Sequence, residues 1–153
     1  RIMGYIGSSK RVEMKYLLTP EQYSSLRKAI QHYMKEDDYG LTAICNIYFD
    51  TDAYDLIRHS VEKPVYKEKL RLRSYGIPDE NSRIFLEIKK KYKGVVYKRR
   101  IGLTYSEAVR YIENGTPPAD CGQIFREIDY FMKFHKPVPK LYLAYNRIAM
   151  YGL

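Results

Sequence analysis

The chain has 153 residues, 45 % of them hydrophobic and 29 % charged, with a formal net charge of +9. That fits one domain with a real core and excludes a disordered composition. No apolar run approaches the roughly 20 residues of a membrane-spanning helix, and no signal peptide is visible.

Residues 1–10 read as a loose lead-in and 11–153 as a single domain; a start at Arg1 rather than Met reads as a fragment or a trimmed chain. Residues 11–18 alternate, with Glu13 and Lys15 on one face and Val12, Met14 and Tyr16 on the other, which predicts a half-buried strand. Thr19, Pro20 and Glu21 form a helix start, and Tyr23, Leu26, Ile30 and Met34 carry the helix to about residue 34. A polar turn is expected at 36–40. Residues 42–51 read as a strand in which Cys45 is a core residue. Thr51 or Asp52 then caps a short helix through Tyr54, Leu56, Ile57 and Arg58. Strands are expected at 65–75, 83–91 and 95–103, joined by a turn at 76–82 and a tight hairpin at Lys93-Gly94. Thr104 and Glu107 form a capping box for a helix that Gly115 ends. A second helix is expected at 121–134, with Ile124, Ile128, Phe131 and Met132 on one side, and a strand at 138–150. Cys121 and Cys45 form no CxxC pair, so a reducing, cytoplasmic setting fits, and Cys121 has no base nearby in sequence. At least six strands, three or four helices and no regular βαβ alternation indicate an α+β fold with a mainly antiparallel sheet.

The charge is local. Residues 63–100 hold thirteen Lys or Arg against four acidic residues, an excess of nine that equals that of the whole chain. Strand alternation puts Lys67, Lys69, Arg71 and Arg73 on one face. Phe85, Glu87, Lys89 and Lys91 share a face in the next strand, and Val96, Lys98 and Arg100 in the third. Antiparallel pairing can align these into one basic surface, which like-charge repulsion makes costly unless water or a polyanion neutralises it. A sheet with one charged and one apolar face can curl into a full or partial barrel, charged face inward, with helices outside.

The sequence holds no GxxxxGK[ST], no GxGxxG, no HExxH and no zinc-type Cys/His spacing. His32, His59 and His135 are isolated. A site here is made of Lys, Arg and Glu on strands. Arg grips phosphate oxygens as a fork and Lys as a point charge, and carboxylates among them could hold Mg²⁺ or Mn²⁺. Glu13 and Glu87 fit that role by parity, each two residues from a same-face lysine (Lys15 and Lys89); simple pairing with that lysine explains either spacing equally.

Six segments then become specific. Glu13-Met14-Lys15, YFDT at 48–51, KLRLRSYG at 69–76, FLEIKKKYKGVVYKRR at 85–100 and YNR at 145–147, with REIDYF at 126–131, resemble the VTC domain. This is the polyphosphate polymerase domain of the triphosphate tunnel metalloenzyme, or CYTH-like, group, in a bacterial version. The resemblance implies a tunnel of antiparallel strands that transfers the terminal phosphate of a nucleoside triphosphate such as ATP to polyphosphate, with Mn²⁺ or Mg²⁺. Relatives hydrolyse triphosphate or cyclise ATP, so the alternatives are a triphosphatase or a non-catalytic polyanion-binding module. A nucleic-acid module ranks last, because few aromatics were expected on the inward faces. By resemblance, Lys15, Arg58, Arg71, Arg73, Lys89, Lys98 and Arg147 contact phosphate, with Arg100 an added contact. Arg71, Arg73 and Lys89 are the catalytic candidates, and Glu13 and Glu87 the metal candidates. Family members continue past the YNR strand, so a further segment or a second copy is expected to complete the barrel. Association with a membrane would run through a partner.

Overall fold

The computed structural model describes residues 14–153. In chain order these form α1 (Pro20–Ile30), β1 (Met34–Asp50), α2 (Asp55–Val61), β2 (Tyr66–Tyr75), β3 (Arg83–Tyr92), β4 (Val95–Thr104), α3 (Tyr105–Asn114), α4 (Gln123–His135) and β5 (Val138–Gly152). The strands make one antiparallel sheet in the order β4-β3-β2-β1-β5. The fold is therefore α+β, and the sheet is open, with β4 and β5 at its two edges.

Alternation gives this sheet two unlike faces. Phe49, Leu70, Ile84, Leu86, Ile88 and Leu103 point to one side and are buried. Ala108 and Tyr111 of α3 and Phe125, Ile128 and Phe131 of α4 pack onto them, and Leu56 of α2 joins at the margin. Helices α3 and α4, with α2 at the margin, thus cover the apolar face.

Two signals drive the local structure. Thr104 and Glu107 cap α3 reciprocally, as their spacing predicts, and Gly115 ends the helix with φ 67. Thr19 and Gln22 form the same box on α1. The cap of α2 differs from the expectation. Thr51 Oγ1 accepts from Asp55 N, but the larger share falls to buried Asp50, whose carboxylate accepts from the backbone N–H groups of Thr51, Leu56 and Ile57. Asp52 instead pairs with Lys140.

Several expectations need correction. Residues 14–18 are exposed and form no strand, and 11–13, with Glu13, lie outside the described residues. Five strands are present among the described residues rather than six. The first helix ends at Ile30, which leaves His32 in a turn. The expected turn at 36–40 lies inside β1, because β5 pairs with both halves of that long strand across a register shift between Glu36 and Leu41. Polar residues there read as a turn, but a bulge in an edge pairing tolerates them equally. Helix α4 begins at Gln123, so Cys121 precedes it, exposed, while Cys45 is buried as expected.

Candidate functional site

The face opposite the helices carries the cations. The register aligns them as alternation predicts: Lys69, Lys89 and Lys98 stand in one cross-strand row, and Arg71, Glu87 and Arg100 in the next. Tyr48 of β1 continues the second row, and Asn46, Arg73 and Phe85 form a third.

Glu87 is the hub. It is 2 % exposed and sits between two cationic strands. Arg71 Nε donates to its Oε2 at 2.7 Å. Lys98 Nζ stands 3.2 Å and Arg100 Nη1 3.7 Å from Oε1. Both are near enough for charge, but neither makes a hydrogen bond to the buried Oε1, which accepts none among the described residues. Burial pushes the carboxyl upward, yet the charges of Arg71 and Lys98 and the Arg71 hydrogen bond outweigh it and hold Glu87 below its ordinary value. The pairing expected along the strand with Lys89 is replaced by pairing across strands.

Arg73 is more unusual. It is 6 % exposed, and among the described residues no carboxylate forms an ion pair or hydrogen bond with it. Its Nε donates to Asn46 Oδ1 at 2.9 Å, and its Nη2 to Tyr145 Oη at 3.1 Å. Asn46, itself buried, is fixed by donating to Leu143 O. Among the described residues this buried cation is hydrogen-bonded only to neutral oxygens, and it shares the charge of Glu87 with three other cations rather than pairing with it, which is costly in an isolated fold.

Four cations thus surround one carboxylate. Arg71, Arg73, Lys98 and Arg100 against Glu87 leave three positive charges over. Lys89 lies exposed beside them in register. Arg147 shares the face, opposite Thr42 on β1, and is exposed. Lys15 is exposed ahead of α1, and Arg58 is exposed on α2, the helix whose Leu56 joins the apolar core; neither is part of the Glu87 cluster. Hollows elsewhere, of about 430 Å³ beside α1 and about 230 Å³ beside α3, do not reach it.

Sequence reasoning missed two kinds of residue here. Arg83 is on the same face, its guanidinium 5.7 Å from the Phe85 ring, whose other side of contact is Arg100 at 4.5 Å. Gly102 leaves the space Arg83 occupies, since a Cβ there would fall 2.2 Å from Arg83 Nε. The face is also richer in aromatics than expected: Tyr48, Tyr75, Phe85 and Tyr145 all lie on it. Alternation could have found them, because Tyr75 follows Arg73 by two residues and Tyr145 precedes Arg147 by two.

The described part of the site does not by itself assemble a donor set for a resident metal, and Glu13, the other expected ligand, lies outside the described residues. The described residues hold no group of three or more His, Cys, Asp or Glu placed for a metal ion. Glu87 is the one carboxylate in the cluster, and three cations already crowd it. No helix among the described residues is long and apolar enough to cross a membrane.

The comparisons agree with this geometry. No curated protein matches the sequence. A solved structure from Bacillus halodurans that carries an adenylate cyclase assignment superposes with a TM-score of 0.57 at 17 % identity. The match covers 86 % of this chain and 61 % of that one, so the chain spans under two thirds of that neighbour's length. At that identity the likeness speaks for the fold. The family model described as VTC domain matches residues 10–152, nearly the whole chain, and with that match the chain belongs to the VTC-domain family.

Proposed function

We propose that the basic face binds the phosphate groups of a nucleoside triphosphate or of polyphosphate, as the phosphate-gripping wall of a phosphoryl-transfer site. The observation that carries this reading is Arg73: a buried guanidinium with neutral partners only, beside three further cations that share one carboxylate. An anion with several oxygens supplies the missing charge. Arg71 and Arg73 grip in planar forks, while Lys98 and Lys89 act as point charges on neighbouring oxygens. Glu87 keeps Arg71, Lys98 and Arg100 convergent. Lys15, Arg58 and Arg147 are outer contacts in this reading, brought in by an elongated ligand.

The reaction proposed for the family member is transfer of the terminal phosphoryl group of ATP to the end of a polyphosphate chain. The bond between the β,γ-bridging oxygen and the terminal phosphorus breaks, a new bond forms to a chain-end oxygen, and ADP leaves. Such transfer asks the protein for positioning and charge rather than covalent work, and the arginine forks provide both. Mn²⁺ or Mg²⁺ enters as the counter-ion of the substrate phosphates. Incubation with ATP and Mn²⁺, with products resolved on a gel, tests the reaction. A polyphosphate ladder supports polymerisation, free phosphate alone shows a triphosphatase, and unchanged ATP with retained binding shows a binding module.

A further inference from the structure

Three arginines of the site, Arg71, Arg73 and Arg100, end on tyrosine hydroxyls. Arg71 Nη1 donates to Tyr48 Oη at 2.9 Å, Arg73 Nη2 to Tyr145 Oη at 3.1 Å, and Arg100 Nη1 to Tyr75 Oη at 3.3 Å. The three tyrosines come from three strands, β1, β5 and β2, and all reach the same face. The partner type matters. A carboxylate at any of these positions would orient the guanidinium but cancel its charge. A phenol oxygen orients it and leaves the charge intact. Once its oxygen accepts from arginine, the hydroxyl proton remains for another acceptor.

We propose that Tyr48, Tyr75 and Tyr145 are positioning residues that aim Arg71, Arg100 and Arg73 at the bound phosphates and add three neutral O–H donors to them. This rests on the phosphate-binding reading above. It explains why one carboxylate serves the whole cluster: the rest of the orienting is done by groups that do not compete with the ligand. The tyrosines are also stiffened for the task. The Tyr48 ring lies 5.8 Å from Arg71 Cζ, and Tyr75 meets Phe85 edge to face at 5.6 Å. Ile44, paired in register with both Tyr75 and Tyr145, is fully buried beside them.

Tyr75 carries an added signature. Burial raises its hydroxyl, but hydrogen bonds and charge from Arg100 and Arg73 outweigh this and place it below the ordinary tyrosine value. The groups around it are Arg73 on its own strand, Arg100 on β4, the Phe85 ring on β3 and Ile44 on β1. As pH rises toward the tyrosine range, a phenolate forms among the arginines and competes with the anion.

The test uses tripolyphosphate as the probe and calorimetry as the readout, with Tyr→Phe variants that keep the rings. The triple variant Tyr48→Phe, Tyr75→Phe, Tyr145→Phe should bind about tenfold more weakly, while the dependence of affinity on salt stays at the wild-type slope, because no charge has been removed. Arg71→Ala should lower both affinity and slope. In the wild type, affinity should fall as pH rises toward the ordinary tyrosine value of about 10, and Tyr75→Phe should flatten that fall. Wild-type affinity in the triple variant, with Arg71→Ala still impaired, overturns the tyrosine proposal and spares the site. Wild-type affinity in both overturns the site reading itself. Single Phe variants, with melting temperatures matched to the wild type, guard against a triple variant that fails to fold.

Discussion

At the scale of single residues, Glu87 and Arg73 divide the work of the site. Glu87 holds cations; in the proposed phosphate-binding role Arg73 takes the anion. Replacing Glu87 by Gln leaves Arg71, Lys98 and Arg100 without their carboxylate. Removing one partner of a buried pair typically costs about 3–5 kcal/mol, and urea denaturation of Glu87→Gln should show a loss near the lower end. The pH dependence follows from the same cluster. Glu87 titrates below its ordinary value in the folded chain. Its contribution to stability is therefore complete above the unfolded carboxylate value of about 4.3 and is lost as pH falls toward and through the lower folded value. Melting temperature should stay flat near neutrality and drop in acid, and the Glu87→Gln variant should lose that part of the drop. Alternation alone revealed which cations share the face, because side chains on a strand point by parity. It could not reveal that Glu87 prefers Arg71 and Lys98 across the sheet to Lys89 on its own strand. That choice depends on register, which no run of residues within one strand encodes.

At the scale of elements, capping and pairing explain where the reading of the sequence held and where it slipped. The boxes on α1 and α3 lie within four residues, so local spacing shows them. The α2 cap draws on Asp50, the last residue of β1, reaching six and seven residues ahead. Asp50→Ala removes the carboxylate that accepts from three backbone N–H groups and should cost about 2 kcal/mol, the upper end for helix caps, measured by chemical denaturation. The long β1 was read as a turn and a strand because its polar first half pairs only with β5. That edge strand is exposed along residues 141–147 on both faces. Amide hydrogen exchange should therefore be fastest in β5 among the strands and slowest at the centre of β2 and β3, around Leu70 and Ile88, which are buried. Equal protection across the sheet would contradict this view of β5 as the weakly held edge.

At the scale of the whole molecule, the sheet separates two jobs: helices and core on one face, uncompensated charge on the other. The row Lys69, Lys89 and Lys98 sets like charges side by side on three adjacent strands. Such a row costs stability, so a bound polyanion should return it, and tripolyphosphate should raise the melting temperature by mass action. The overall class, α+β with a basic antiparallel face, was legible because net charge and period-two patterning converge on one stretch. The open edge at β5 and the absence of a strand at residues 14–18 were not, since both depend on what pairs with what. Arg73, buried and hydrogen-bonded only to neutral oxygens among the described residues, is the proposed core of the phosphate site. Calorimetric titration of tripolyphosphate into the wild type and into Arg73→Ala, at low and at high salt, tests it most directly. The account predicts saturable binding that weakens with salt in the wild type, and at least a tenfold loss with reduced salt dependence in Arg73→Ala. Equal affinities in the two proteins, with both folded, would contradict it.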